Sequence, residues 1–174
     1  PARDHGLIMD RRLTPATDRV ALDTLRDRLD RAAYTAGRPA RLAVPLTDLL
    51  TAPDGRRDRQ VVFGTDLTVI DTCDGFAFVQ SGLDGYCGWL RADALTDDLP
   101  AITHRVTAPA THVYPAADMK RPERLSLTRG SRLSVTAIAG GFAELAGGGF
   151  IPAQHVGDQL ADDPAQVAET MLGT

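Results

Sequence analysis

The sequence predicts a mainly β chain carrying two small barrels in tandem. Two observations predict it: a repeat of the chain upon itself, and short β-forming runs parted by glycine-rich turns. GTDLTVIDTCDGFAFV, from Gly64, aligns without gaps on GSRLSVTAIAGGFAEL, from Gly130. Leu67 then meets Leu133, Val69 meets Val135, Gly75 meets Gly141, Phe76 meets Phe142 and Ala77 meets Ala143. Upstream, Arg41–Pro45 and Leu49 parallel Arg105–Pro109 and Val113. Downstream, Gly88-Trp89-Leu90 corresponds to Gly149-Phe150-Ile151. Each copy is about 60 residues long, a size that can fold around its own small core.

The elements follow in order. Residues 1–38 form an N-terminal strap. Thr14-Pro15 ahead of TDRVALDTLRDRLDR carries the signs of a capped helix start, with proline at the first helical position. Leu22, Leu25 and Leu29 would share one helical face, and Asp27 stands four residues before Arg31. The alternating charges fit an extended or only partly helical strap as well. Residues 39–99 form the first barrel. Its runs LTVIDT and FAFVQS are parted by Cys73-Asp74-Gly75, a hairpin signal, because glycine supplies the positive φ that tight hairpin turns need. Gly85 marks the next turn, and Tyr86 to Leu90 the next strand. Residues 100–158 repeat the pattern, with Ala139-Gly140-Gly141 and Gly147-Gly148-Gly149 as turns. In residues 159–174, Asp163-Pro164 opens a linker helix whose apolar face is Val167, Met171 and Leu172. That stripe has nothing to pack on, so a further domain is expected beyond Thr174.

Composition excludes several classes. A net charge of −4 and a pI near 5.5 argue against a nucleic-acid partner, which shows as a concentrated basic patch. No apolar run approaches the roughly 20 residues needed to span a bilayer, and the opening PARDHGLIMDRR has no apolar core of a signal peptide. Met9 is a candidate natural start. The expected setting is the cytoplasm, with the periplasm or the exterior as the alternative if the natural N-terminus carries a signal. Two cysteines make no disulfide framework, and Cys73 and Cys87 are expected as reduced thiols. Neither they nor His5, His104, His112 and His155 show a zinc spacing, so no metal and no cofactor is expected.

These residues resemble a family. Val61 to Leu95, with its VVFG-x-x-L-x-V pattern and its closing DGYCGW, resembles a bacterial SH3-like (SH3b) domain. The order of pieces, ending in DPAQVAETMLGT, resembles the N-terminal region of NlpC-type (NlpC/p-sixty) cell-wall cysteine peptidases, in the subset with two SH3b domains ahead of the catalytic domain. The resemblance implies the non-catalytic half of a hydrolase that cleaves γ-D-glutamyl bonds to a diamino acid in peptidoglycan peptides. Its partners would be its own C-terminal catalytic domain and a peptidoglycan-derived peptide, with neither nucleic acid nor membrane. Nothing here matches the family's Asp-Cys-Ser-Gly nucleophile motif, so the chain alone is expected to be inactive. By motif position Tyr86 would help shape the pocket for the substrate's free N-terminal L-Ala. Relatives often carry an acidic residue where this chain has Ala52, which puts an acidic contact to the peptide amine from that loop in doubt.

Each candidate also has a plainer reading. Tyr86 either packs on its barrel or presents an apolar ring and a polar hydroxyl to a ligand. Asp84 initiates its turn, with substrate contact as the second reading. Trp89 counts as a candidate substrate contact, although Phe150 replaces it in the second copy with the hydrophobic character kept, as a core residue would be. Cys87 as a nucleophile would need a lowered thiol pKa, and a strand cysteine is more often a small buried residue. The MKRPER run (Met119–Arg124) reads as a solvated basic loop. The competing functional class is a module that anchors the protein to the cell wall. A reader of proline-rich peptides needs an aromatic-lined groove, and aromatics are only 5% of this chain. A self-contained Cys/His enzyme rests on Cys73 or Cys87 alone.

Overall fold

The computed structural model describes residues 9–160, 163–169 and 172. The strap contributes β1 (Val20–Leu22) and β2 (Ala33–Thr35). The first repeat contributes β3 (Arg38–Leu42), β4 (Leu46–Leu50), β5 (Arg57–Val62), β6 (Asp66–Cys73), β7 (Phe76–Ser81), β8 (Cys87–Arg91) and β9 (Leu95–Thr96). In the second repeat come β10 (His104–Val106), β11 (Ala110–Val113), β12 (Leu125–Thr128) and β13 (Arg132–Leu133). They are followed by β14 (Val135–Ala139), β15 (Phe142–Leu145), β16 (Phe150–Pro152) and β17 (Val156–Gly157).

The repeat is a repeat of topology. The first copy is one sheet in the order β5-β4-β8-β7-β6-β3-β9. The second copy consists of β12 on β11, then β16-β15-β14, then β13-β10-β17, with a bridge from Tyr114 to Phe150 joining the first two pieces. That is the same order, with β13 and β14 standing where β6 is continuous. The aligned residues also share their burial: Leu42 with Val106, Leu49 with Val113, Leu67 with Leu133, Ala77 with Ala143 and Leu90 with Ile151 are all core positions. By packing, the chain divides into two compact units. One is Pro1–Ala40, Asp48–Gln60 and Asp66–Leu95; the other is Arg41–Thr47, Val61–Thr65 and Thr96–Thr174. In the second unit Val106, Val113, Leu127, Leu133 and Ile151 form the core.

The strap is extended, and its helical part is one 3-10 turn, Asp23–Leu25, with Leu25 buried. β1 pairs in parallel with β2, and Val20 and Leu22 pack on a cluster of Ile70, Phe78 and Cys87. Helix propensities differ by up to about 0.7 kcal/mol per ordinary residue, whereas fully burying a valine or leucine is worth about 1.5–3 kcal/mol. Packing therefore decides the conformation against the helical pattern. Arg31 turns to the Thr17 and Asp30 carbonyls, and Arg19 and Thr17 latch the strap to Asp71 of β6.

At the other end, α1 (Pro164–Glu169) opens with the Asp163 carboxylate accepting the Ala165 amide, as the Asp-Pro start implies. Residues 1–8, Met171, Gly173 and Thr174 lie outside the described residues. No helix is long and apolar enough to cross a membrane among the described residues.

Candidate functional site

The DGYCGWL stretch, Asp84 to Leu90, sits in the first unit, where the β7–β8 turn feeds into β8. Gly85 takes φ +74, which favours glycine, and its carbonyl accepts a hydrogen bond from the Gln80 side chain. Asp84 Oδ1 accepts the Tyr86 amide at 3.2 Å, the side-chain turn expected of an aspartate there. The Tyr86 carbonyl then accepts the Ser81 amide, which starts the β7–β8 ladder. Gly88 has a different task. A Cβ there would lie 3.1 Å from the Leu49 Cβ, so the missing side chain lets β4 close on β8. Its counterpart Gly149 does the same against Val113, the counterpart of Leu49, where a Cβ would come within 2.6 Å.

Tyr86 is half-buried and ringed by three ion pairs. Arg59 of β5 places its guanidinium carbon 4.7 Å from the centre of the Tyr86 ring and donates to Asp84 at 2.5 Å. This cation–ring contact ties Tyr86 to β5. Asp58, its neighbour in sequence, pairs with Arg11 at 2.8 Å. Arg12 pairs with Asp10 at 2.7 Å, and its carbonyl accepts the Cys87 amide, which fixes the turn Asp10–Leu13 beside β8. Burial first, then hydrogen bonding to the Asp58 carboxylate, raises the Tyr86 hydroxyl above its usual pKa. Arg11 first, and then Tyr86, holds Asp58 below the usual carboxylate range. Arg59 does the same for Asp84. At neutral pH the ring therefore presents a protonated phenol among ionised acids and arginines. Such a set can offer hydrogen bonds and charge to a ligand, and carries no nucleophile.

Cys87 is buried, and that burial pushes its thiol up to about 12, with the Asp84 charge adding to the effect. It is fully protonated at neutral pH. Asp74 beside Cys73 raises that thiol too. The described histidines are engaged elsewhere: His104 with Thr103, His112 with Ser126, and His155 with Thr111. Both cysteines are free thiols.

Of the three predicted contacts, Tyr86 and Asp84 meet in one constellation. Trp89 faces the layer beneath the strap, with its ring 5.3 Å from Phe78 and packed on the cluster that Val20 and Leu22 cover. Sequence reasoning missed Arg11, Asp58 and Arg59. For Asp58 and Arg59 the only signal is the charge density of RRDRQ ahead of VVFG, which nothing in spacing ties to a tyrosine 27 residues beyond Arg59, and Arg11 stands 75 residues before that tyrosine. Within the second unit a separate recess of about 300 Å3, lined by Leu42, Phe63, Ile102 and Leu125 among others, opens onto the core. No group of three or more metal-ligating side chains occurs among the described residues.

The strand order runs twice, and the mainly β, curled sheets are consistent with SH3-like barrels. Residues 49–95 match the family model described as the bacterial dipeptidyl-peptidase Sh3 domain. The fold is similar to the crystal structure of an NlpC/P60 family protein from Bacillus cereus ATCC 10987, at 18% identity and a TM-score of 0.56. That alignment covers 69% of this chain and 56% of the other, and at such identity the likeness is one of fold. NlpC2 and NlpC1 from Trichomonas vaginalis align at 16% and 17% identity with TM-scores of 0.31 and 0.32, too low to define a shared fold. Those alignments cover 77% and 72% of this chain, and 56% and 47% of theirs. The chain thus spans about half the length of each of these proteins (56%, 56% and 47%). No curated protein matches the chain.

Proposed function

We propose that the chain is the SH3b region of an NlpC-type peptidase acting on peptidoglycan-derived peptides, and that it lines part of the cleft of a catalytic domain following Thr174. The observation that carries this reading is the Tyr86 constellation, whose Asp58, Arg59, Asp84 and Tyr86 lie inside the stretch matching the bacterial SH3 model. In it Arg59 stacks on the tyrosine ring, and the neighbouring Asp58 carboxylate and the Tyr86 hydroxyl each shift the other's protonation, on a half-buried surface with no nucleophile. The ligand chemistry that suits them is a primary ammonium next to a small side chain. Asp58 accepts the ammonium, and the Tyr86 ring and hydroxyl bound the space around the first residue of the peptide. Asp58 thereby supplies from β5 the acid that Ala52 does not. Asp84 is a positioning residue, since it holds the Tyr86 amide and the Arg59 guanidinium together. The bond cleaved, γ-D-glutamyl to a diamino acid, would be attacked by the catalytic domain's cysteine and not by Cys87. Recycling of released peptides in the cytoplasm is the proposed setting.

The test uses the protein carrying its catalytic domain. Tyr86→Ala is expected to raise KM for L-Ala-γ-D-Glu-diaminopimelate at least tenfold while shifting Tm by less than about 3 °C, a span set by the small effect of trimming a half-exposed residue. Equal loss of stability and substrate use would assign Tyr86 to packing alone. Tight binding of this chain to intact peptidoglycan, unaffected by Tyr86→Ala, would favour a wall-anchoring module.

A further inference from the structure

The three arginines of the ring are not held alike. Arg12 is clasped by Asp10 through Nε and Nη2, with contacts of 2.7 to 3.1 Å, and Asp10 also accepts the Arg12 amide. Arg59 is fixed between the Tyr86 ring and Asp84. Arg11 makes one hydrogen bond, from Nη2 to Asp58 Oδ2, and its side chain is 54% exposed against 21% for Asp58. It extends from the Asp10–Leu13 turn, which is tied to β8 through the Cys87 amide. The carboxylate beside the Tyr86 hydroxyl is thus the least exposed of the three acids, and its resident cation is the most weakly held.

We propose that Arg11 is a built-in competitor for the ligand's ammonium: its guanidinium occupies Asp58 in the free protein and swings out to solvent when an amine-bearing peptide enters. This rests on the reading of Tyr86 and Asp58 as an amine subsite, and it adds a determinant of affinity from the N-terminal turn. The exchange is one cation for another at a single carboxylate, so it changes neither the charge at Asp58 nor the ladder that holds Tyr86. Arg11 also discriminates. A neutral or N-acylated peptide end cannot replace the guanidinium's charge and leaves Arg11 in place. A free ammonium replaces it fully and is the only end group admitted without stranding the carboxylate.

The experiment titrates the protein carrying its catalytic domain with the dipeptide L-Ala-γ-D-Glu and with its N-acetyl form, following the Tyr86 ring signals by NMR. Parent, Arg11→Gln, Arg12→Gln and Asp58→Asn are compared. Arg11→Gln is expected to bind the free-amine dipeptide about 1.5- to 5-fold more tightly than the parent, the span set by an exposed ion pair. Arg12→Gln removes the same charge from the same turn and should gain less, while the N-acetyl form should gain nothing. Unchanged or weaker binding by Arg11→Gln, or an equal gain with Arg12→Gln, overturns the competitor role. In that case amine-selective binding that Asp58→Asn abolishes leaves the subsite reading standing. Absence of amine-dependent binding in every variant overturns both.

Discussion

Gly64 and Gly130 occupy equivalent turns in the two repeats and share a left-handed backbone, with φ of +76 and +85. Their surroundings differ. A Cβ on Gly64 would fall 2.0 Å from the Arg132 carbonyl oxygen and 2.8 Å from its carbon, while nothing lies within 4 Å of one on Gly130. Gly130→Ala therefore carries only the cost of a left-handed alanine, about 1–2 kcal/mol. Gly64→Ala carries that cost and must also displace backbone by more than an ångström. The backbone it meets is anchored, because the Arg132 amide donates to the Phe63 carbonyl at 2.9 Å. Overpacking adds about 1–3 kcal/mol, and loosening that hydrogen bond adds about 1 kcal/mol. The expected totals are about 3–6 kcal/mol for Gly64→Ala and about 1–2 kcal/mol for Gly130→Ala. Calorimetry reads the difference directly: at about 2–4 °C per kcal/mol for a chain of this size, Gly64→Ala should melt at least 4 °C below Gly130→Ala. Equal melting temperatures would refute the close approach of Gly64 to Arg132.

Three further outcomes follow from single contacts. Thr65 is buried and its hydroxyl donates to the Val62 carbonyl at 2.8 Å, whereas the equivalent Ser131 hydroxyl is buried without a partner. Thr65→Ala should cost about 1–3 kcal/mol in urea denaturation and Ser131→Ala less than about 0.5 kcal/mol; a comparable cost at Ser131 would reveal a partner. The Cys87 thiol is raised from 9.0 to about 12, so the unfolded chain loses this proton first. Its stabilising contribution is whole below pH 9 and is lost as pH rises towards 12, by up to about 1.4 kcal/mol per pH unit. The stability gap between parent and Cys87→Ala should therefore narrow between pH 9 and 10.5, and iodoacetamide at pH 7.5 should alkylate Cys87 only in denaturant. Asp71→Ala removes the carboxylate that accepts from both Arg19 and Thr17; hydrogen exchange at Leu22 and Ala33 should quicken by roughly tenfold, as for one lost charged hydrogen bond, and unchanged exchange would mean that apolar packing alone holds the strap.

The fold was legible because it is written twice. An alignment of sixteen residues on sixteen fixes which positions are core, and Leu67 with Leu133 or Ala77 with Ala143 are buried in both copies. The glycine turns were readable for the same reason, since Asp74-Gly75 and Gly140-Gly141 both take the positive φ their hairpins require. The strap was legible only in part. VALDTL spaces its apolar residues as a helix does, but which elements Val20 and Leu22 meet is a matter of partners some 50 residues away. The candidate site was legible where a motif names its own residues, Asp84 and Tyr86, and opaque where the constellation borrows charges from β5 and the N-terminal turn. Charged residues carry no periodicity that survives solvent exposure, so Arg11, Asp58 and Arg59 join the constellation only once β5, β8 and the Asp10–Leu13 turn are brought together.

The copies also differ. In the first copy the outward residues Ile70, Phe78 and Trp89 are apolar, and the strap covers them. Their counterparts in the second copy are Thr136, Glu144 and Phe150; the first two are exposed, and the face is suited to water. The first copy also keeps a tyrosine at the mouth of β8, where the second has Gly147-Gly148. Strap, covered face and tyrosine thus occur together, in one repeat and not the other. They are also physically connected. The chain that becomes the strap first passes Tyr86 as the Asp10–Leu13 turn, gives Arg11 to Asp58, bonds the Cys87 amide, and only then runs across the outer face. An apolar outer face on the first barrel thus does more than add stability. It anchors the segment that brings Arg11 to the tyrosine, which makes the strap's packing a condition of the site's charge arrangement.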